Sequence, residues 1–205
     1  MMPEPAALVA DELKTRDRDL WLACLYAPAG ARAGLMALFA LDCELAQLVA
    51  STTEPMIGEI RMAWWRERLQ DLDSGRAPAQ PLLQALLADA LPVLRGNELA
   101  ELEERWLGLI GSDFVPDAHI GGGGQLFALA ARLLGGNVSE ADALGRLWAA
   151  GDMPAGRTSA PLRLLRGLAN LNARDAARGR AGHAREARGS LARQWQLLKA
   201  VATGR

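Results

Sequence analysis

Cysteine, histidine, lysine and tyrosine are all scarce in this 205-residue chain. Its two cysteines, Cys24 and Cys43, cannot build a disulfide framework, so a reducing compartment such as the cytoplasm is expected. The two histidines, His119 and His183, lie in unrelated surroundings, which excludes a Cys/His zinc pattern. Neither a Gly-x-Ser-x-Gly string nor a Ser/His/Asp arrangement occurs, which removes the hydrolases built on them. Alternating runs of β-branched residues are absent, which argues against a sheet-built fold. The opening residues, MMPEPAALVADELK, carry acid where a secretory leader carries base, so no leader is expected. The most apolar region, Leu20 to Leu41, is interrupted by Pro28, Gly30 and Arg32 before it reaches the roughly 20 apolar residues of a membrane span.

What the chain does have is apolar bulk and a divided charge. Half of it is hydrophobic and 23% is charged, enough for one packed domain. The net charge of −1 excludes a uniformly basic nucleic-acid binder, and no nucleic acid is expected as a partner. That near-zero total conceals a split: residues 1–155 hold 12 Lys+Arg against 22 Asp+Glu, while residues 156–205 hold 11 against 2. The basic groups are almost all guanidinium, which suits carboxylate or phosphate. The expected arrangement is an Arg-rich tail docked on the acidic body or solvated, with an acidic protein or anionic membrane surface as the sharper alternative. Residues 1–177 are read as a helical domain and 178–205 as an Arg-rich segment with a short helix.

The dominant pattern is helical. Leu20, Leu22, Ala23 and Tyr26, then Leu35, Leu38, Phe39, Leu41, Leu45, Leu48 and Val49, recur at three- and four-residue spacing on either side of Pro28 and Gly30. A third helix is expected from Met56 to about Leu72 behind Pro55, and the Asp73–Pro78 stretch reads as a loop. Leu82–Leu91 and Leu99–Ile110 mark two more, the second opened by Asn97. Gln125–Leu134, Ser139–Ala150, Pro161–Ala177 and Ser190–Val201 complete the set, and the fold class is all-α.

The Gly121–Gly124 run invites a phosphate-loop reading but meets neither G-x-G-x-x-G nor Gly-Lys-Ser/Thr, and no strand precedes it. It reads as a flexible linker. Asp113 and Asp117 form the one D-x-x-x-D string, yet Pro116 between them disfavours the continuous helix that would bring both carboxylates to one face, so this too reads as a loop. The strongest local signal is Glu54–Leu69, EPMIGEIRMAWWRERL. Its adjacent tryptophans point about 100° apart on a helix, and Arg61 and Trp65, one turn apart, can stack as cation on ring.

This segment resembles the squalene/phytoene synthase family. The likeness begins at Arg16-Asp17-Arg18-Asp19-Leu20 and includes Leu25-Tyr26-Ala27-Pro28, Ala37-Leu38-Phe39-Ala40-Leu41 and the Pro81-Leu82-Leu83 helix start. It resumes at Gly124–Gly135 and again at Gly167-Leu168-Ala169-Asn170-Leu171. The resemblance implies an isoprenoid-synthase-like helical bundle around a central cavity, shortened at its C-terminus. Active members carry two facing aspartate-rich motifs that hold Mg²⁺ and two allylic diphosphates for head-to-head coupling, the metal neutralising the leaving group. Here the first motif falls on Ala46-Gln47-Leu48-Val49-Ala50 and the second on Arg174–Gly179, where only Asp175 keeps a carboxylate. Asp42 and Glu44 lie near the first but face different sides of a helix.

The resemblance therefore implies a non-catalytic member, similar to the branch that includes a respiratory complex I assembly factor. Its expected role is assembly or lipid/isoprenoid binding, with no cofactor, no catalytic or metal-binding residues, and Arg61, Trp65 and Asp175 as substrate-binding residues. Its expected location is cytoplasmic and peripheral to the inner membrane. The alternative is an active Mg-dependent prenyltransferase drawing on Asp42, Asp113, Asp117 or Asp175.

Overall fold

The computed structural model describes residues 4–111 and 117–205. All regular structure among the described residues is helical, as the periodicity predicts. Helix α1 (Pro5–Arg16) is an addition to the expected set. Its apolar signal is thin, because only Val9 and Leu13 are buried, and they hold it against α3 (Ala29–Ser51). Between them α2 (Arg18–Cys24) starts at Asp17, whose carboxylate accepts from the Asp19 and Leu20 backbone N–H groups at 3.0 and 3.2 Å. That carboxylate supplies acceptors for donors a helix start leaves unpaired.

Helix α3 is the central element. Gly30 and Arg32 do not interrupt it, because they sit in its first turns behind Pro28, where the chain leaves an extended conformation. The helix is thus long and apolar enough to cross a membrane, yet most of it is buried inside the bundle. Leu35, Leu38, Phe39, Leu41 and Leu45 are fully enclosed. Helix α4 (Pro55–Asp71) carries the tandem tryptophans as expected: Trp65 is 6% exposed in the core and Trp64 is 45% exposed. The chain then passes through α5 (Pro81–Ala85), continued by a π turn over Leu86–Ala90, and α6 (Gly96–Ala100). A 3₁₀ turn at Glu101–Glu103 leads to α7 (Glu104–Leu107), so the single helix expected over Leu99–Ile110 is segmented.

The glycine run requires the largest correction. Gly121 to Gly124 are not a linker; they lie inside α8 (Asp117–Leu134), which crosses α9 (Val138–Ala150) at close range. A Cβ on Gly123 would lie 2.5 Å from the Ala149 Cβ and 2.8 Å from both the Gly145 carbonyl oxygen and Arg105 Nη1. Only glycine permits that approach, so the stretch is a packing surface. Asp113 lies outside the described residues, while Asp117 opens α8.

Helix α10 (Arg163–Arg180) runs through the expected 177/178 boundary, and α11 (Leu191–Thr203) packs back on it and on α2. The tail is part of the bundle. Buried leucine, alanine and phenylalanine side chains fill its middle, with Phe39 edge-on to Phe127 at 6.5 Å.

Adding one methyl at Gly123 must displace helix backbone, whereas a Cβ at Gly179 meets nothing within 4 Å. Gly123→Ala should cost about 1–3 kcal/mol. Gly179→Ala should gain up to about 1 kcal/mol from helix propensity. Thermal melting followed by circular dichroism checks both signs.

Candidate functional site

A cleft of about 460 Å³ opens where α2, α3, α7, α9 and α10 converge, lined in part by Asp17, Asp42, Cys43, Ala46, Arg105, Trp106, His119, Trp148 and Asn172. Beside it, Ala46, Gln47 and Ala50 line an adjoining hollow. Three of the α3 positions where the resemblance places the first aspartate-rich motif therefore face open space, and they bring no carboxylate to it.

Asp42, one turn earlier on α3, does reach the cleft. Its Oδ1 accepts from Trp106 Nε1 at 2.9 Å and stands 3.3 Å from Arg105 Nε. The Arg105 guanidinium is buried between two indoles, 4.9 Å from the Trp106 ring centre and 4.6 Å from that of Trp148. A planar, weakly hydrated cation suits such a slot, and the ring faces offset part of its desolvation. Gly122 and Gly123 of α8 leave the room that Arg105 occupies. From Trp148 the stack continues to Phe127 at 4.9 Å, joining the cleft to the apolar core. Burial lowers the Arg105 pKa, and Asp42 opposes that shift.

His119 on α8 closes one side of this group. Its ring lies edge-on to Trp106 at 5.0 Å, and Nδ1 donates to the Arg105 carbonyl oxygen at 3.2 Å. Burial, and then the positive charge of Arg105, hold its pKa below the ordinary 6.5. Cys24 is buried in the core and Cys43 borders the cleft, and burial pushes both thiols well above the usual range.

A second network lies behind the cleft. Arg193, 1% exposed, donates from Nε to Asp19 Oδ2 at 2.8 Å and from Nη1 to Asp175 Oδ1 at 2.6 Å. Asp19 also accepts from the Gly189 backbone N–H at 2.9 Å, and Arg188 reaches Asp17 at 2.9 Å. Burial alone would lower the Arg193 pKa; its bonds to Asp175 and Asp19 more than reverse that. The Asp17 pKa is raised by burial, with Arg188 opposing.

The three residues expected to bind substrate are not brought together. Asp175 is tied to Arg193 and lines neither the cleft nor its adjoining hollow. Trp65 is core, and Arg61 is exposed on α4. The cation–π pairs among the described residues are Lys14–Trp21, Arg105–Trp106 and Arg105–Trp148, so the expected Arg61–Trp65 stack does not form. Spacing marks Trp106 only as an apolar position of the Leu99–Ile110 helix, and it does not single out Arg105, Trp148, Asp19 or Arg193 as site residues. An arginine followed by tryptophan inside an apolar helical run was the one signal available for Arg105 and Trp106.

Magnesium with diphosphate does not fit these side chains. Asp42 is held by Trp106 and Arg105, Asp19 and Asp175 by Arg193, and Asp17 by Arg188 and its helix cap. Among the described residues no three His, Cys, Asp or Glu side chains come together to hold a metal ion. Where metal ions would bridge carboxylates to a phosphate, arginines neutralise the carboxylates directly.

Residues 13–92 match the squalene/phytoene synthase family profile. Bovine NADH dehydrogenase (ubiquinone) complex I, assembly factor 6 is 34% identical over 95 residues, 46% of this chain and 26% of the relative. The human protein of the same name is 33% identical over the same length, and the rat protein 30% over 106 residues. The chain thus spans about a quarter of the length of the relatives it matches, 26% for the bovine and human proteins. No solved structure matches it.

Two measurements follow from the site. Arg193→Met leaves Asp175 buried without its counter-charge and Asp19 with only Arg188, 3.4 Å away, and should cost about 3–5 kcal/mol in urea unfolding. A loss below about 1 kcal/mol would show that the pair behaves as a solvated surface bridge. For His119, the unfolded chain takes up a proton near 6.5 while the folded protein resists it, so stability should fall as pH drops below that value. His119→Gln should flatten that part of the stability–pH profile.

Proposed function

We propose, for a chain whose residues 13–92 match the squalene/phytoene synthase family, a non-catalytic role as an assembly factor that works by binding a protein partner. The observation that carries this reading is the pairing of the cleft's carboxylates with arginine and tryptophan. Ionising an allylic diphosphate places developing charge on the leaving group, and that charge needs metal-bound carboxylates or free cations aimed at it. Here Asp42 and Arg105 form an ion pair with each other, and Ala46, Gln47 and Ala50 stand where further ligands are needed.

The relatives named as complex I assembly factors supply the direction of the proposal. A component of a membrane-bound NADH dehydrogenase, or an intermediate in its assembly, is the partner class we infer. The cytoplasmic location at the periphery of the inner membrane belongs to the same proposal. An isoprenoid or lipid in the cleft is a weaker reading, because indole faces, guanidinium groups and carboxylates line much of the space.

Two assays separate this role from synthesis. Purified protein incubated with farnesyl or geranylgeranyl diphosphate should release no pyrophosphate, with or without Mg²⁺. Deleting the gene in its host should lower the amount of fully assembled NADH dehydrogenase on native gels, and the wild-type gene should restore it. Magnesium-dependent pyrophosphate release would instead establish the prenyltransferase alternative.

A further inference from the structure

The outer face of α11 is apolar and uncovered. At ~100° per residue, Leu191, Trp195 and Leu198 fall within about 60° of one another, and Arg193, Leu197 and Ala200 fall on the opposite side. The structure follows that division. Arg193, Leu197 and Ala200 are buried against the bundle, while Leu191 is 83%, Trp195 65% and Leu198 43% exposed. This stripe is not a fraying tail. Arg193 anchors the start of the helix to Asp19 and Asp175, and at its end Arg163 Nη1 donates to the Val201 and Ala202 carbonyl oxygens. The Thr158 backbone N–H donates to the Gly204 carbonyl oxygen at 2.9 Å, which holds the turn beyond the helix.

Charge adjoins the stripe on one flank. A groove of about 670 Å³ runs between α10 and α11, and its lining includes Arg157, Arg174, Lys199 and Arg205 but no Asp or Glu side chain. Helix α11 itself contains no Asp or Glu. Arg174 bonds to Glu186 at 2.6 Å, whereas Arg157, Lys199 and Arg205 enter no ion pair among the described residues. Met153, 61% exposed, adds apolar surface at the groove.

A tryptophan and two leucines on one face, with cations beside them and acids absent, match the surface of a helix that lies in a bilayer interface. We propose that α11 seats the protein on an anionic phospholipid surface. Leu191, Trp195 and Leu198 enter the headgroup–acyl boundary, and Arg157, Lys199 and Arg205 meet lipid phosphates. Three of the six arginines of residues 178–205 are engaged by the protein itself: Arg188 and Arg193 pair with Asp17, Asp19 and Asp175, and Arg178 holds the Ala184 carbonyl. The membrane contact therefore belongs to one preformed helix face and its basic flank. It deepens the membrane-peripheral location proposed above and is separable from the assembly role, since vesicle binding is read in vitro and complex assembly in the host.

Co-sedimentation of the full chain with phosphatidylcholine vesicles, with and without phosphatidylglycerol, tests the proposal. Binding should require phosphatidylglycerol and should weaken at high salt, as screening dictates. Leu191→Ser/Trp195→Ser/Leu198→Ser and, separately, Lys199→Glu/Arg205→Glu should each reduce it about tenfold or more. All five side chains are exposed, and circular dichroism would confirm that both variants keep the fold. No binding to anionic vesicles, or equal binding by wild type and both variants, would overturn the proposal. A wild-type dimer that the serine variant abolishes, with no vesicle binding, would also overturn it and assign the stripe to a second copy of the chain.

Discussion

A charge removed from water must meet an opposite charge at close range, and in this protein arginine meets that demand almost everywhere it arises. Arg193 binds Asp19 near the N-terminus and Asp175 on α10, and so ties α2, α10 and α11 together. Arg188 adds Asp17 to the same region. The uneven charge of the two parts of the chain reflects this arrangement in part: the basic final quarter supplies Arg188 and Arg193 to Asp17 and Asp19, while Asp42 and Glu103 pair with Arg105 and Arg66 of the earlier part. Arg166 extends the theme without a carboxylate. Its guanidinium donates to the carbonyls of Pro154, Ala155 and Gly156, shaping the loop before α10.

The same demand separates this cleft from a metal-dependent one. A bundle that holds diphosphate through magnesium keeps its carboxylates free until metal and substrate arrive. Here the counter-ions are covalently part of the chain, and they remain in place whatever the solution contains. Arg105 illustrates the consequence. Held by Asp42 and two indoles, it is a fixed wall of the cleft. Its Nε and Nη1 atoms make no hydrogen bond among the described residues, so part of its bonding capacity is given up to packing. In a cleft of this kind the lining carboxylates, Asp17 and Asp42, are already paired with arginines of the chain.

Close packing makes the buried cation possible. Gly122 and Gly123 let α8 approach both α7 and α9, and Gly145 answers from α9. The resulting contact places Phe127 against Trp148 and Trp148 against Arg105, so the apolar core and the polar cleft share a continuous stack. A side chain at either facing glycine would push apart the helices that hold the guanidinium. The glycine run therefore serves the site although none of its atoms needs to touch a ligand.

Much of the fold was legible because helices declare themselves locally: the three- and four-residue recurrence of Leu35 through Val49 marks α3, and Pro55 marks the start of α4. The missing carboxylates at Ala46–Ala50 were equally legible, since an absent side chain is absent in any fold. The meaning of Gly121–Gly124 was not, because a glycine run looks the same in a loop and in a helix crossing, and only the neighbours on α7 and α9 distinguish them. The partners of Asp175 were hidden for a similar reason. Arg193 and Asp19 lie far from each other in sequence, and Arg61, one turn from Trp65, turned outward when Trp65 entered the core. By itself the sequence determined the all-α class and the family likeness, through short-range periodicity and motif. Tertiary structure alone decided which charges neutralise one another and which apolar face of α11 stays uncovered, because both depend on contacts between segments that spacing along the chain does not encode.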